Sequence, residues 1–322
     1  MPHKIGILST AHMHAFGYAH GLSGNPAANL VGVWDDDTDR GKAFAEKFGV
    51  EFYANREDLF AACDALIITS ENKKHVENAG AAAAAGKPML CEKPLVTTLD
   101  EAERMREIAK RVTVMTAFPC RFSPAYQRLK ARVAAGDIGR VLAIDATNHG
   151  SCPFGWFVEE DKSGGGAMMD HTVHVADLLR DLLGEDPTTV YAQTSNRVYG
   201  QSWDDTAMLH LTYPSGVFAC IDASWSRPGS YKTWGDVKMA VTGEKGVIEL
   251  DMFSQAFDHY PKDGRHGLAG YGSDLDTLLV ASFVRALETG EPEVTAEDGI
   301  QAALVAIRGY ESAGAAGAVQ TG

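Results

Sequence analysis

The sequence is poor in cysteine, in basic residues and in long apolar runs. Its five cysteines (Cys63, Cys91, Cys120, Cys152 and Cys220) are odd in number, scattered and without a Cys-x-x-Cys pair. They read as reduced intracellular thiols, not as a disulfide framework. No apolar stretch is long enough to span a bilayer, and Met1 leads straight into a strand pattern over Lys4 to Leu8 with no signal-peptide layout. Lys and Arg total 29 against 43 Asp and Glu, a formal charge of −14. Nucleic acid and anionic membrane would repel such a chain. These absences predict a cytoplasmic protein with neither as a partner. What is present is an ordinary 45% hydrophobic content over 322 residues, enough for two domains with full cores and without an internal repeat.

The first part alternates short apolar runs with helical stretches. The runs are Ile5 to Leu8, Leu30 to Trp34, Asp64 to Thr69, Pro88 to Cys91 and Val112 to Ala117. The intervening helices are Thr38 to Phe48, Lys73 to Ala85 and Leu99 to Lys110. This rhythm predicts an α/β fold, a doubly wound parallel sheet of the Rossmann type. It changes near Phe118, which divides the chain into a dinucleotide-binding domain over 1–120 and a second domain over 121–322. In the second part, helices are expected over Ser123 to Ala135 and Met168 to Leu183, the latter stopped by Gly184. Strands follow over Arg140 to Asn148, Val190 to Arg197, Asp205 to Tyr213, Val217 to Trp225, Val237 to Thr242 and Gly246 to Leu250. That pattern predicts an α+β domain with an open, mostly antiparallel sheet. Late helices are expected over Leu275 to Leu287 and Glu297 to Glu311. Thr295 and Asp298 resemble a capping box ahead of the second, and the Gly/Ala-rich tail after Ser312 is expected to be loosely held.

Glycine is missing where a nucleotide fingerprint needs it. After the first strand the chain reads Ser9-Thr10-Ala11-His12-Met13-His14, with Ser9, Ala11 and His14 at the three glycine positions of G-x-G-x-x-G. Backbone N–H groups at a helix start can still face a diphosphate, Ser9 and Thr10 add hydroxyls, and Ala11 is small. Asp35 ends the second strand, where a carboxylate accepts from an adenosine ribose. Asp36 and Asp37 follow, with Arg40 the nearest base, so the sequence favours NAD over NADP. The same acidic run also suits the N-terminus of the next helix.

Two segments carry acid–base chemistry. Cys91-Glu92-Lys93-Pro94 sets a lysine at the carboxyl end of an apolar strand, although a lone lysine there is more often solvated. Gly164-Gly165-Gly166 leads to Asp170 and His174, which share a helix face at a spacing of four. A carboxylate can orient an imidazole that serves as general base; a helix-terminal aspartate and a core histidine are the plain alternative.

Taken together, the order of these segments resembles the glucose–fructose oxidoreductase, inositol dehydrogenase and rhizopine-catabolism (Gfo/Idh/MocA) family over nearly the whole chain. The specific points are Gly86-Lys87-Pro88 into Cys91-Glu92-Lys93-Pro94, and Gly164-Gly165-Gly166-Ala167-Met168-Met169-Asp170 into His174. Asn72 with His75, Arg121-Phe122 with Pro124, and Gly243 with Gly246 support them. The resemblance implies Lys93, Asp170 and His174 as the catalytic set. It implies a cis bond before Pro94 and an open sheet used for homo-oligomers. Cofactor contacts are expected from Ser9, Thr10, Ala11, His12, Met13, Asp35, Thr69, Asn72, His75, Glu92, Lys93 and Arg121. Substrate contacts are expected from Lys93, Arg121, His149, Trp156, Asp170, His171 and His174. The implied reaction is hydride exchange between NAD and a hydroxyl carbon of a sugar, polyol or inositol-like substrate. The chain departs from the family at the fingerprint glycines and at Thr172, where Asp-x-Gly-x-His is common.

Three rival readings remain: a glycosidase that retains NAD, a sugar- or nucleotide-sensing protein without turnover, and metal hydrolysis by His12, His14, His171 and His174. Zinc would need three or four convergent ligands and the chain has no His-Glu-x-x-His, so no metal site is assigned.

Overall fold

The computed structural model describes residues 1–260, 262, 267–270 and 272–321. In chain order the elements are β1 (His3–Leu8), α1 (His14–Ser23), β2 (Ala28–Trp34), α2 (Thr38–Phe48), β3 (Glu51–Phe52), α3 (Arg56–Ala62), β4 (Ala65–Ile68), α4 (His75–Ala84), β5 (Met89–Cys91), α5 (Leu99–Ala109) and β6 (Val114–Thr116). There follow α6 (Pro124–Ala134), β7 (Val141–Gly150), α7 (Glu160–Ser163), α8 (Ala167–Leu183), β8 (Thr189–Ser195), β9 (Thr206–Thr212), β10 (Phe218–Ser224), β11 (Gly235–Gly243), β12 (Gly246–Asp251), β13 (Ala256–His259), β14 (Gly267–Gly270), α9 (Leu275–Thr289), α10 (Ala296–Ala315) and β15 (Val319–Gln320). The chain packs as two compact units. The first holds Met1–Pro119, Gly155–Gly164 and Leu275–Leu304; the second holds Cys120–Phe154, Gly165–Asp274 and the residues from Val305 on.

In the first unit six parallel strands lie in the order β3-β2-β1-β4-β5-β6. Ile5, Ile7, Leu66, Ile67, Met89 and Leu90 are fully buried, as strands covered on both faces require. The strand order reverses between β1 and β4, so their carboxyl ends make the switch point where such sheets bind ligands. The expected helix over Thr38–Phe48 forms, capped by Asp37 Oδ1, which accepts from the N–H groups of Asp39 and Arg40. The helix expected from Lys73 begins as a 3-10 turn over Asn72–Lys74 and continues as α4. β3, α3, α7 and the β13–β14 hairpin are beyond the sequence pattern; the first three are too short to show a period.

In the second unit the sheet runs β12-β11-β7-β10-β9-β8-β15, antiparallel except for β7 with β10. Helix α8 packs on β7, β9 and β10. Strand alternation buries Ile144, Ala146 and Asn148 of β7 and turns Asp145, Thr147 and His149 to the other face. The tail is not loose. Ser312 Oγ accepts from Ala192 N–H at 2.9 Å, and Val319–Gln320 pairs with Val190 and Thr189. This short strand extends the sheet beyond β8; Gly322 lies outside the described residues. Among the described residues no helix is long and apolar enough to cross a membrane.

Candidate active site

The turn after β1 solves its missing glycines in a specific way. Ser9 adopts φ +68°, the left-handed conformation that glycine takes most easily. Neighbours hold it there: its N–H donates to Trp34 O at 2.6 Å and its O accepts from Thr69 Oγ1 at 2.6 Å. Four of the turn's other N–H groups have protein acceptors. Thr10 donates to Asp35 Oδ2 (2.7 Å), Ala11 to Ser9 Oγ (3.3 Å), His12 to Thr69 O (2.9 Å) and His14 to His12 Nδ1 (3.2 Å). The bonds at Ala11 and His14 are the longest, hence the ones an anion would most readily replace. Trp156 Nε1 donates to Ala11 O at 3.0 Å, and its ring stacks on Phe157 at 3.9 Å. The indole expected to meet substrate thus braces the turn. Met13, the remaining turn residue, is exposed.

Asp35 stands at the end of β2, as the ribose reading needs, but it is 3% exposed and already occupied. Arg40 binds it through Nη2 to Oδ1 (2.6 Å) and Nε to Oδ2 (2.9 Å), and Thr10 Oγ1 donates to Oδ2 at 2.7 Å. Asp36 pairs with Arg40 and with Lys74, so two cations offset the acidic run. Burial works against both cations, yet their carboxylate partners hold the Arg40 and Lys74 pKa values above normal.

Beyond β5, Lys93 is 4% exposed, which overturns the solvated-surface alternative. The Lys93–Pro94 bond is cis. Glu92 is fully buried, with Oε2 accepting from Lys93 N–H at 3.0 Å. Its Oε1 lies 3.0 Å from His14 Nδ1 and accepts from the Tyr18 hydroxyl. Burial would raise the Glu92 pKa, but the charges of His12, His14 and Lys93 and the His14 bond hold it far below the usual carboxylate range. Burial and Glu92 push the Tyr18 phenol well above its ordinary value, so it stays a hydroxyl donor. His75 sits between Pro94 O (2.9 Å) and Ser70 O (3.2 Å), its pKa lowered by burial; Asn72 Nδ2 donates to Ser163 O at 2.8 Å. The His75 bond braces the loop that follows Lys93.

The glycine run has a steric cause at each end. Gly164 has φ +78°, and a Cβ there would lie 2.6 Å from Thr97 Cβ. A Cβ on Gly166 would lie 2.2 Å from Asp204 O. That closeness lets Asp204 cap α8 from outside: its carboxylate accepts from Gly166 N–H (3.1 Å) and Met168 N–H (2.8 Å), with the Tyr310 hydroxyl donating at 2.7 Å. One turn into α8, Asp170 is 7% exposed and its Oδ2 accepts from Trp225 Nε1 at 3.0 Å. His171 Nε2 lies 3.3 Å from the same oxygen, and His171 Nδ1 donates to Asn148 O at 2.9 Å. Because a carbonyl only accepts, that bond fixes a proton on Nδ1. His174 is 6% exposed, one turn beyond Asp170 on the same helix.

Two expected site residues are held in ion pairs. Arg121 is 7% exposed and forms a two-pronged ion pair with Asp177, with Asp181 at 3.3 Å. His149 faces away from α8, between Asp222 (3.0 Å) and Asp236 (3.1 Å). The sequence reading missed Trp225, Asp204 and Tyr18. Only Tyr18 carried a signal, lying four residues after His14 on one helix face.

A parallel sheet with this switch point and a separate mixed sheet covered by α8 define a Rossmann domain joined to an α+β domain. Residues 5–118 match the profile of an oxidoreductase family with an NAD-binding Rossmann fold, and 126–249 match the GFO/IDH/MocA C-terminal domain. The chain belongs to this GFO/IDH/MocA family, and its Rossmann fold binds NAD. It is 30% identical over 321 residues to myo-inositol 2-dehydrogenase of Thermotoga maritima, covering 94% of this chain and 93% of that protein. It is 28% identical over 310 residues to 1,5-anhydro-D-fructose reductase of Ensifer adhaerens, covering 91% and 92%. The structure of myo-inositol 2-dehydrogenase from Lactobacillus plantarum is similar with a TM-score of 0.86 at 25% identity, covering 99% of each chain.

Proposed function

We propose that this protein is an NAD-dependent dehydrogenase acting on a hydroxyl carbon of a sugar, polyol or inositol-like substrate. The observation that carries the reading is Lys93, a lysine 4% exposed at the carboxyl end of a parallel strand in an NAD-binding unit. Bound NAD supplies a hydride acceptor at its nicotinamide ring. His174 takes the hydroxyl proton, Asp170 orients the base, and the Lys93 ammonium stabilises the developing alkoxide. Ser9 in its left-handed conformation and the small Ala11 suit a diphosphate. Asp35 suits a ribose hydroxyl and, with Asp36 and Asp37, favours NAD over NADP. Relatives named for inositol and anhydrofructose support the substrate class. The same proposal includes a cytoplasmic homo-oligomer joined through the open sheet face, where Tyr191, Met208 and Phe218 are exposed.

The test is a panel of sugars and polyols assayed by NADH absorbance with wild type, Lys93→Ala and His174→Ala. Both variants are expected to bind NAD and lose turnover. Normal turnover in either sinks the assignment. Release of free sugar from glycosides without net NADH would favour the NAD-retaining glycosidase instead.

A further inference from the structure

The two histidines of the altered turn have no part in the chemistry above. We propose that His12, His14 and Glu92 form a binding site for a transition-metal dication such as Zn²⁺ or Co²⁺. The three side chains each place a ligand atom within 4.8 Å of the others. Two imidazoles and a carboxylate are the donor set of zinc and late first-row metals, not of Mg²⁺ or Ca²⁺, which prefer oxygen. Within the first unit, Glu92 is the residue that joins His12 and His14.

Each ligand is held by its surroundings. His12 is 3% exposed, fixed by its N–H bond to Thr69 O at 2.9 Å and by the ring of Phe157, 5.3 Å away edge-on. His14 is the first residue of α1 and packs 4.4 Å from His12, ring to ring. Glu92 is fully buried, and the Tyr18 hydroxyl on Oε1 and Lys93 N–H on Oε2 orient its carboxylate. Such supporting hydrogen bonds are what metal-ligating carboxylates need. The His14 Nδ1–Glu92 Oε1 separation of 3.0 Å is close to the ~3.3 Å between ligands bonded at ~2.0 Å around a tetrahedral ion. The weak 3.2 Å bond from His14 N–H to His12 Nδ1 is given up if that nitrogen binds the ion. The Lys93 charge nearby opposes a dication, so binding is expected to be reversible by chelator.

The test uses the full chain, dialysed against EDTA and free of NAD. Titration with Co²⁺, followed by visible absorbance and then by displacement with Zn²⁺, is expected to show one equivalent with the weak bands of nitrogen and oxygen ligands. His14→Gln keeps a hydrogen bond to Glu92 but removes the imidazole; together with His12→Gln it is expected to weaken binding at least tenfold. Circular dichroism of both variants checks folding, and if either unfolds, protection of the wild-type histidines from diethyl pyrocarbonate by Zn²⁺ replaces it. No binding, unchanged binding in both variants, unprotected histidines, or an intense thiolate charge-transfer band would overturn the site. NAD affinity of the metal-free protein is measured separately, so failure here leaves the dehydrogenase reading untouched.

Discussion

Trp225 donates its indole N–H to Oδ2 of Asp170 at 3.0 Å, with both side chains buried. The bond joins the end of β10 to the first turn of α8 and leaves the carboxylate one preferred orientation. A hydrogen bond to a charged group contributes ~1.5–3 kcal/mol. Trp225→Phe keeps most of the packing and removes the donor. Its kcat is expected to fall about tenfold or more, ~1.4 kcal/mol per tenfold, with NAD affinity unchanged. Steady-state kinetics checks this, and an unaltered kcat would remove Trp225 from any positioning role.

Asp35 and Arg40 form a two-pronged pair whose members would favour opposite cofactors. The carboxylate suits a ribose hydroxyl, and the guanidinium suits a 2′-phosphate. Asp35→Ser removes the carboxylate and releases Arg40. The ratio of kcat/KM with NAD to that with NADP is expected to fall at least about tenfold. If the ratio holds in parallel assays with the two cofactors, Asp35 does not select between them.

Gly166 permits the approach of Asp204 that caps α8. In Gly166→Ala the new Cβ meets Asp204 O at 2.2 Å, and backbone on both sides leaves little room to yield. Overpacking of this kind costs ~1–3 kcal/mol. Asp204→Ala removes the cap itself, for ~1–2 kcal/mol. Urea unfolding midpoints measure both, and the double variant is expected to lose less than the sum because the two changes disrupt one contact.

Much of this was legible in the sequence, for identifiable reasons. Buried parallel strands such as Ala65–Ile68 announce themselves as apolar runs between helices, and Gly184 and the Thr295–Asp298 box mark helix ends by local chemistry. Lys93 and Asp170 stood out because glycine and proline surround them. What stayed hidden depends on contacts distant in sequence. The partners of Arg121 lie 56 and 60 residues away, and Trp225 lies 55 from Asp170. The direction of His149 turns on the parity of one strand: Asn148 next to it is buried, so His149 must face the other way. The Ser9 conformation was hidden because only tertiary contacts make a serine accept it.

His149 offers a pH test within the second unit. Hydrogen bonds to Asp222 and then Asp236 raise its pKa to about 9, outweighing burial. In the unfolded chain an imidazole titrates near ~6.5. The folded state therefore holds this proton more tightly. The resulting stabilisation is full below about pH 6.5 and is lost as pH rises through about 9. The depressed Asp236 pKa acts only at much lower pH, outside this window. Asp222 is 38% exposed and screened by solvent, so the contribution is about 1–2 kcal/mol, not the full linkage value. Wild-type stability in urea is expected to decline from pH 6.5 to 9.5 more steeply than that of His149→Gln, with the two curves converging at the alkaline end. Parallel curves across the window would show that the imidazolium does not tie β7, β10 and β11 together.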